Sequence, residues 1–236
     1  MKIKFLILAA VAVLLQLTSP AATAAKKVFR AGAAKVDITP HQWPVSLVGS
    51  FSDRPATKAF DPLHARALVL DDGANRIAMV VVDNCLIPRE VLDDAKERAH
   101  RTSGVPVGRI LISATHTHSA PAAKNSVGIG YRASPDYLNQ MKDGIAAAVK
   151  LGVERLQPAE IGWGVAQAPK HVFNRRWFVK RDAIRENPFG NTNDIVKMNP
   201  PRRPDWLLKP AGPTDPAVTF ISVRSSAGKP IALFAN

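Results

Sequence analysis

The sharpest chemical signal in this sequence is a pair of histidines on alternate residues. His116 and His118 lie in the stretch Ser113–Pro121, which reads SATHTHSAP and follows an apolar run. Residues two apart at the end of a strand share a face, so both imidazoles are expected to project into one cleft. Neutral imidazole is a good zinc ligand. The pair therefore indicates a metal or catalytic site, with strand capping by hydrogen bonds as the alternative.

The cysteine count limits which metal sites are expected. The sequence holds one cysteine, Cys85, which excludes a disulfide scaffold and a cysteine-based zinc site. Any metal is then expected on His, Asp, Glu or Tyr side chains. Cys85 follows an apolar strand and is interpreted as a buried small hydrophobic residue.

Two further places could contribute chemistry. Asp83 ends the most apolar predicted strand, where it could orient a metal-bound histidine or cap the next turn. Asn174, Arg175 and Arg176 bring together an amide and two guanidinium groups. An arginine in a closed site can stabilise an oxyanion or bind a carboxylate, and the alternative is a solvated basic loop.

The elements that must position these residues follow from apolar periodicity and turn signals. Asp71–Asn75 lie between two apolar runs and predict a hairpin, and the run Ile77–Val82 is apolar on both faces and predicts a strand covered on both sides. Ser134 is a predicted N-cap, and Gly104 lies just past the predicted end of the first helix.

A strand, a helix and a strand before the histidine pair predict a parallel crossover unit. The fold class is therefore α/β, with a mixed, largely buried β-sheet covered by helices. The predicted strands are Val28–Thr39, Leu63–Leu70, Arg76–Asp83, Arg109–Thr115, Ala159–Ala168, Val218–Val223 and Pro230–Phe234, and the predicted helices are Pro88–Thr102 and Ser134–Leu151, ending at Gly152.

Composition and charge bound the class of protein. The chain has 236 residues, 46% apolar, with a formal net charge of +13, which fits one globular domain with acidic or anionic partners. The segment Pro169–Pro216 has eight prolines and no sustained period, so we expect a long loop or lid. Ten Lys or Arg and four Asp or Glu lie between Lys170 and Lys209, among aromatic residues. This mixture suits a membrane surface or an amphiphile, and a plain solvated loop is the alternative.

Both ends of the sequence carry expectations of their own. Residues 1–25 combine early lysines, an apolar run of 13 residues and a small-x-small site at Ala22–Ala24, which predicts a cleaved secretory signal peptide. The protein is therefore expected to be secreted or periplasmic, where nucleic acid is not an expected partner. The sequence stops within the apolar run Ile231–Asn236, and we expect it to be cut from a longer protein.

Taken together, the sequence resembles the N-terminal catalytic region of the neutral/alkaline non-lysosomal ceramidases. The likeness runs from about Ala31 to the end of the chain, and residues 26–236 would form an incomplete catalytic domain of that type. The stretches that carry it are Ala31–Pro40, Asp61–Leu70, Val80–Asp83, Ile112–Pro121 and the Asn174–Arg175 step.

The resemblance implies a zinc-dependent amide hydrolase that splits N-acyl-sphingosine (ceramide) into fatty acid and sphingoid base. His116 would bind zinc. His118 would face the substrate and help to stabilise the oxyanion, and Arg175 would do likewise. Because Arg176 adjoins Arg175, either arginine could hold that place.

The departures from the family pattern leave other functions open. Family members bring a further zinc histidine, a glutamate, a tyrosine and a serine-bearing motif from later positions, so the 236 residues alone are expected to be inactive. Ala120 stands where characterised ceramidases usually have glycine. The alternatives are a hydrolase of another amide or ester on the same scaffold, and a non-catalytic exported protein that binds lipid or cell-envelope polymers.

Overall fold

The computed structural model describes residues 28–201 and 205–236. The predicted signal peptide, residues 1–25, lies outside the described residues. Twelve strands and two helices are described: β1 Arg30–Asp37, β2 Val45–Leu47, β3 Arg54–Ala56, β4 His64–Asp71, β5 Arg76–Val82, α1 Arg89–Ser103, β6 Ile110–Ala114, α2 Pro135–Glu154, β7 Gln157–Gln167, β8 Arg176–Val179, β9 Val196–Met198, β10 Leu207–Pro210, β11 Ala217–Ser225 and β12 Pro230–Ala235.

A seven-stranded mixed sheet organises these elements, in the order β12-β11-β7-β1-β4-β5-β6. The predicted α/β fold class is confirmed. β4 and β5 form the predicted antiparallel hairpin, and Gly73 takes a φ of 84° in its turn. β5 and β6 are parallel and joined through α1, which is the predicted crossover unit. The carboxyl ends of β5 and β6 therefore meet at one edge of the sheet.

The ends of the helices follow local capping rules. α1 ends where Gly104 adopts a φ of 72° and donates its N–H to the His100 carbonyl at 2.8 Å. The Ser134 hydroxyl caps α2 by accepting from the Tyr137 N–H. The predicted end of α2 at Gly152 is wrong, since the helix continues to Glu154.

Gly152 has a packing role. A Cβ added at Gly152 would lie 2.7 Å from a methyl group of Val69, and one added at Gly32 would overlap the Gly152 carbonyl oxygen. The two glycines allow α2 to lie directly against β1 and β4. A glycine near the end of a helical pattern thus serves the helix–sheet contact here.

The main core lies between the helices and one face of the sheet. Val69, Val80 and Val82 of the sheet are buried against Met141 and Ile145 of α2. The opposite face is partly covered by the β11–β12 hairpin, which packs on β1 and β4. β5, expected to be covered on both sides, is fully covered on the helical side only. Of the described helices, neither combines the length and the apolar character needed to cross a bilayer.

The segment Pro169–Pro216 contains structure that the sequence did not indicate. β8, β9 and β10 form a small antiparallel sheet in the order β10-β8-β9. Each strand has only three or four residues, and prolines interrupt the intervening chain. Strands this short carry too few alternations to produce a detectable period.

Candidate functional site

The two histidines of the predicted site lie against each other at the carboxyl edge of β6. Their Nε2 atoms are 3.3 Å apart, and the rings meet edge to face with centroids 4.9 Å apart. β6 ends at Ala114, and His116 has a φ of 61°. The segment is therefore turned and not extended. The imidazoles converge as expected, but the turn after β6 brings them together, and not the alternation of side chains along a strand. A non-glycine residue in this conformation costs about 1–3 kcal/mol and is typical of functional sites.

The main chain of Cys85 sets the tautomer of the neutral His116 ring. His116 Nδ1 lies 2.8 Å from the Cys85 carbonyl oxygen. Because a carbonyl only accepts, Nδ1 carries the hydrogen, and the lone pair of Nε2 is left for a metal ion or a donor. This is the usual way in which a neighbouring carbonyl orients a metal-binding histidine.

The thiol of Cys85 also reaches this site. Its Sγ lies 3.6 Å from His116 Nδ1, and donor atoms of Cys85, His116 and His118 all lie within 4.8 Å of one another. Cys85 is buried as expected, and burial raises the pKa of its thiol. Sequence reasoning missed its place beside the histidines, because Cys85 and His116 are 31 positions apart in the sequence and share no local signal.

Asn84 ties the two site loops together. Its side chain is completely buried; Nδ2 donates to the Pro121 carbonyl at 3.0 Å, and Oδ1 accepts from the Leu86 N–H at 3.2 Å. One residue thus holds the turn after β5 to the loop that carries the histidines. No pattern in the sequence distinguishes Asn84 from an ordinary turn asparagine.

The chain around Ser46 and Val48 is hydrogen-bonded to the loop that carries the histidines. The Val48 N–H donates to the Ala120 carbonyl at 3.1 Å, and the Ala122 N–H donates to the Ser46 carbonyl at 2.8 Å. Gly49, the residue after Val48, has a φ of 106°, and a Cβ at this position would overlap the His118 ring. The ring of His118 therefore packs directly against the main chain of Gly49, in the space that a Cβ would fill.

The proposed role of Asp83 in orienting a histidine does not fit its contacts. Asp83 Oδ2 accepts from Arg66 Nη1 at 2.7 Å and from the His64 N–H at 2.9 Å. The carbonyl of Cys85 takes the orienting place beside His116 instead. Asp83 thus holds the end of β5 to the start of β4, a structural role that differs also from the predicted alternative of capping the next turn.

A cleft adjoins the other side of the histidine segment. Its volume is about 510 Å³, and Thr117 and Ser119 line it together with Asp83. Its apolar walls include Trp43 and Phe60. The residues that alternate with the histidines therefore face a partly apolar space large enough for part of an amphiphile.

The two candidate arginines make their main-chain hydrogen bonds with residues outside the histidine cluster. Arg176 begins β8, and its N–H donates to the Asn174 side chain at 2.9 Å. The carbonyl of Arg175 accepts from the Asn199 N–H at 2.7 Å. Within residues 28–201 and 205–236, no hydrogen bond, ion pair or ring contact joins either arginine to the histidines. The choice between Arg175 and Arg176 stays a prediction.

Comparisons with known proteins agree with this picture of the fold. Residues 29–191 match the family described as neutral/alkaline non-lysosomal ceramidase, N-terminal. Two similar solved structures are a ceramidase complexed with C2 and the neutral ceramidase from Pseudomonas aeruginosa. Each has 22% identity and a TM-score of 0.63, and the match covers 88% of this chain. This chain spans 30% and 31% of the two solved chains, and at this identity the likeness concerns the fold.

Proposed function

This chain belongs to the neutral/alkaline non-lysosomal ceramidase family, and from that premise we propose that it supplies part of the active site of a zinc-dependent amide hydrolase. The proposed reaction is hydrolysis of N-acyl-sphingosine to a fatty acid and a sphingoid base. The observation that carries the proposal is the histidine pair, whose Nε2 atoms are 3.3 Å apart.

A zinc ion is proposed to bind one of the two imidazole nitrogens, and the other nitrogen, 3.3 Å away, would then lie beside a substrate oxygen at the metal. His116 is the proposed ligand, because the Cys85 carbonyl already holds its Nδ1–H and leaves Nε2 unprotonated. Imidazole nitrogen suits zinc better than it suits magnesium or calcium. When bound, zinc supplies Lewis acidity that polarises an amide carbonyl and lowers the pKa of water.

The other residues act on the substrate in this proposal. His118 faces the scissile amide, and its Nε2–H donates a hydrogen bond to the oxygen that becomes negative during attack. Because Gly49 has no Cβ, the His118 ring can occupy the position that this contact requires. Arg175 would add a second, charged donor.

The test is zinc content and hydrolysis of N-acyl-sphingosine by the protein from the complete open reading frame. Wild type is expected to hold about one zinc per chain and to release fatty acid, and His116→Ala to lose both. His118→Ala should keep the metal and lose most of the turnover. His41→Ala is the matched control, since His41 is an exposed loop histidine outside the cluster. A wild type without zinc, or an unaffected His116→Ala variant, contradicts the proposal.

Another amide or ester is the runner-up substrate on the same scaffold. Ala120 is completely buried beside the histidine segment, where the family usually has glycine. An added methyl group at this place can alter which acyl chain or headgroup fits. Comparing ceramide with short N-acyl amines and acyl esters separates the two substrates, and Ala120→Gly should raise the rate on ceramide if this methyl group limits it.

Contact with a membrane surface is a second candidate function. Phe173 is 82% exposed and Phe189 is 87% exposed, and both lie in the basic segment between Lys170 and Lys209. Exposed aromatic rings beside cations suit an anionic bilayer interface. Co-sedimentation with phosphatidylglycerol vesicles should fall in Phe173→Ser and Phe189→Ser and fall with added salt. Phe51→Ser, which changes a fully exposed ring outside this segment, is the control.

A further inference from the structure

A glutamine on α2 holds the chain on both sides of a residue that lines the cleft beside the histidine segment. Gln140 Nε2 donates to the Thr39 carbonyl at 2.5 Å, and Gln140 Oε1 accepts from the His41 N–H at 3.2 Å. Pro40 lies between these two residues and lines the cleft of about 510 Å³. The side-chain amide of one helix residue thus fixes the main chain where this wall of the cleft begins.

The same wall continues to an aromatic ring. Trp43 and Leu63 line the cleft together with Pro40. The Leu63 N–H donates to the Thr39 hydroxyl at 2.9 Å, which ties both parts of the wall to one residue. Among the described residues, Gln140 is the only side chain from another element that hydrogen-bonds to residues 40–44. The positions of Pro40 and Trp43 therefore depend on this one side chain.

The helix that carries Gln140 is itself firmly held. Met141, the next residue, is completely buried in the core between α2 and the sheet. The Ser134 hydroxyl caps the helix through the Tyr137 N–H. A side chain on a packed helix places its partner more precisely than a side chain on a loop does. Gln140 is therefore well suited to set the width of the cleft.

The remaining lining indicates which ligand fits. Trp43, Leu63 and Phe60 give apolar walls, and the Phe60 ring is 96% exposed to solvent. Thr117 and Ser119 supply hydroxyl groups that have no hydrogen-bond partner within residues 28–201 and 205–236. Ligand pockets usually combine apolar walls with a few polar groups and enclose roughly 300–1,000 Å³. A long apolar chain next to a small polar group matches this lining.

The charges in the cleft favour a neutral ligand. Lys58 lines the cleft together with Asp61 and Asp83, and Asp83 Oδ2 already accepts from Arg66 Nη1 at 2.7 Å. Because both signs of charge are present, neither an anion nor a cation meets a lining of the opposite sign alone. The ligand class expected here is a neutral amide that carries one long chain.

We propose that this cleft binds the long acyl chain of an N-acyl amine, with Trp43 as a contact residue and Gln140 as a positioning residue that acts through the chain from Pro40 to Trp43. The inference rests on the proposed amide hydrolase function and adds the place of the acyl chain. Thr117 lines the cleft and lies between the two histidines in the sequence. An acyl chain bound in the cleft therefore lies beside the segment that carries them.

The first test measures contact with Trp43 directly. The probe is N-stearoylethanolamine with two bromine atoms on its acyl chain, since bromine quenches tryptophan fluorescence on contact. The protein from the complete open reading frame is expected to show saturable quenching, and Trp43→Phe should lose most of it. Trp163→Phe is the matched control and should keep it, because Trp163 lies on β7 outside the cleft and is 82% exposed.

Gln140→Met tests the positioning role. Methionine fills a similar space but cannot hydrogen-bond to the Thr39 carbonyl or the His41 N–H, so the affinity for the brominated probe should fall about tenfold. Gln140→Glu keeps an acceptor for the His41 N–H and should weaken binding less. Gln167→Met, at an exposed glutamine on β7, is the matched control. Far-ultraviolet circular dichroism checks that each variant is folded.

Turnover distinguishes positioning from a general structural effect. With a long-chain ceramide, Gln140→Met should raise KM about tenfold and leave kcat within about twofold of wild type. With an N-acetyl substrate, whose acyl chain is too short to fill the cleft, KM should stay within about twofold as well. A variant that is merely less well folded would lose kcat on both substrates.

The outcomes separate this inference from the proposed function. A wild type without saturable quenching overturns the acyl-chain site, and this result needs no substitution. A Trp43→Phe protein that is quenched like wild type also overturns it, and unchanged probe affinity in both Gln140 variants overturns the positioning role. A protein that binds the probe but holds no zinc and does not hydrolyse ceramide overturns the proposed function and leaves the acyl-chain site standing.

Discussion

On the helix-covered face of the sheet, Met141, Ile145 and Val149 are completely buried, whereas His116 and His118 at the carboxyl edge of β6 are exposed. The first region is held by close apolar packing, which stabilises by roughly 1.5–3 kcal/mol for each large side chain buried. The second is held by a few hydrogen bonds through Asn84 and the Cys85 carbonyl.

This difference separates stability from chemistry. The packed face sets the positions of the strand ends and carries no reactive group. The loops at the edge carry the donor atoms and pack through a smaller apolar cluster formed by Val48, Cys85, Ala122 and Tyr131. Substitutions on the packed face should therefore change the free energy of unfolding, and substitutions at the edge should change metal binding.

The largest loss of stability is expected for Gly32→Ala. The new methyl group would overlap the Gly152 carbonyl oxygen, and backbone cannot move aside as a flexible side chain can. We expect the free energy of unfolding to fall by about 3 kcal/mol or more, measured by urea unfolding with circular dichroism. Gly108→Ala is the matched control, since a Cβ there meets nothing within 4 Å. Equal effects of the two variants would mean that α2 does not pack tightly on β1.

His116→Ala should weaken metal binding and change stability little, in contrast to Gly32→Ala. Loss of the proposed ligand should weaken zinc binding by about 100-fold or more, while the free energy of unfolding of the metal-free protein changes by about 1 kcal/mol or less, because the side chain is exposed and makes one main-chain hydrogen bond. Zinc affinity by competition with a chromophoric chelator and urea unfolding give the two readings. A large loss of stability without a loss of zinc affinity would make His116 a structural residue.

Asn84→Ala should change both the stability of the fold and the metal binding of the edge loops. The variant therefore measures how far these two properties are independent. The change leaves the Pro121 carbonyl and the Leu86 N–H without their buried partner. We expect a loss of about 2 kcal/mol of stability and about tenfold weaker zinc binding, because both loops are loosened. Asn193→Ala, at an exposed loop position, is the control. A loss of stability with unchanged zinc affinity would show that the loops keep their positions without Asn84.

The same division explains what the sequence could predict. The β4–β5 hairpin, the crossover through α1 and the caps at Gly104 and Ser134 follow from local patterns, and they were predicted. The convergence of the two histidine rings was also predicted, because both residues lie in one short stretch. A short stretch of sequence is sufficient to predict a feature that depends on one element or one turn.

Features that depend on distant contacts were not predicted. The Cys85–His116 contact and the Asn84–Pro121 hydrogen bond each join residues more than thirty positions apart. Gly152 signalled a helix end locally, yet its contact with Gly32 on β1 makes it a packing residue inside α2. The left-handed conformation of His116 gave no signal, since glycine is the residue expected there.

The smallest effect is expected for a polar contact on the outer side of the packed face. Asp94 of α1 accepts from Lys142 of α2 at 2.7 Å and from Arg98 at 3.1 Å, and these hydrogen bonds lower the pKa of Asp94 to about 2. A lowered pKa in the folded state stabilises the protein above the ordinary value near 3.8, and this contribution is lost as the pH falls through about 2. The Asp94 side chain is 40% exposed, so solvent screening limits the contribution at pH 7 to about 1 kcal/mol.

Asp94→Asn should therefore lower the free energy of unfolding by about 1 kcal/mol at pH 7, and its difference from wild type should shrink as the pH is lowered from about 5 to about 2. Asp93→Asn on the same helix is the control, because Asp93 pairs with Arg89 within α1 and is 53% exposed. Its effect should stay below about 0.5 kcal/mol. Urea unfolding at a series of pH values measures both variants. If the two pH profiles coincide, the ion pairs between α1 and α2 add nothing to the apolar contact, and burial alone holds the helices on the sheet.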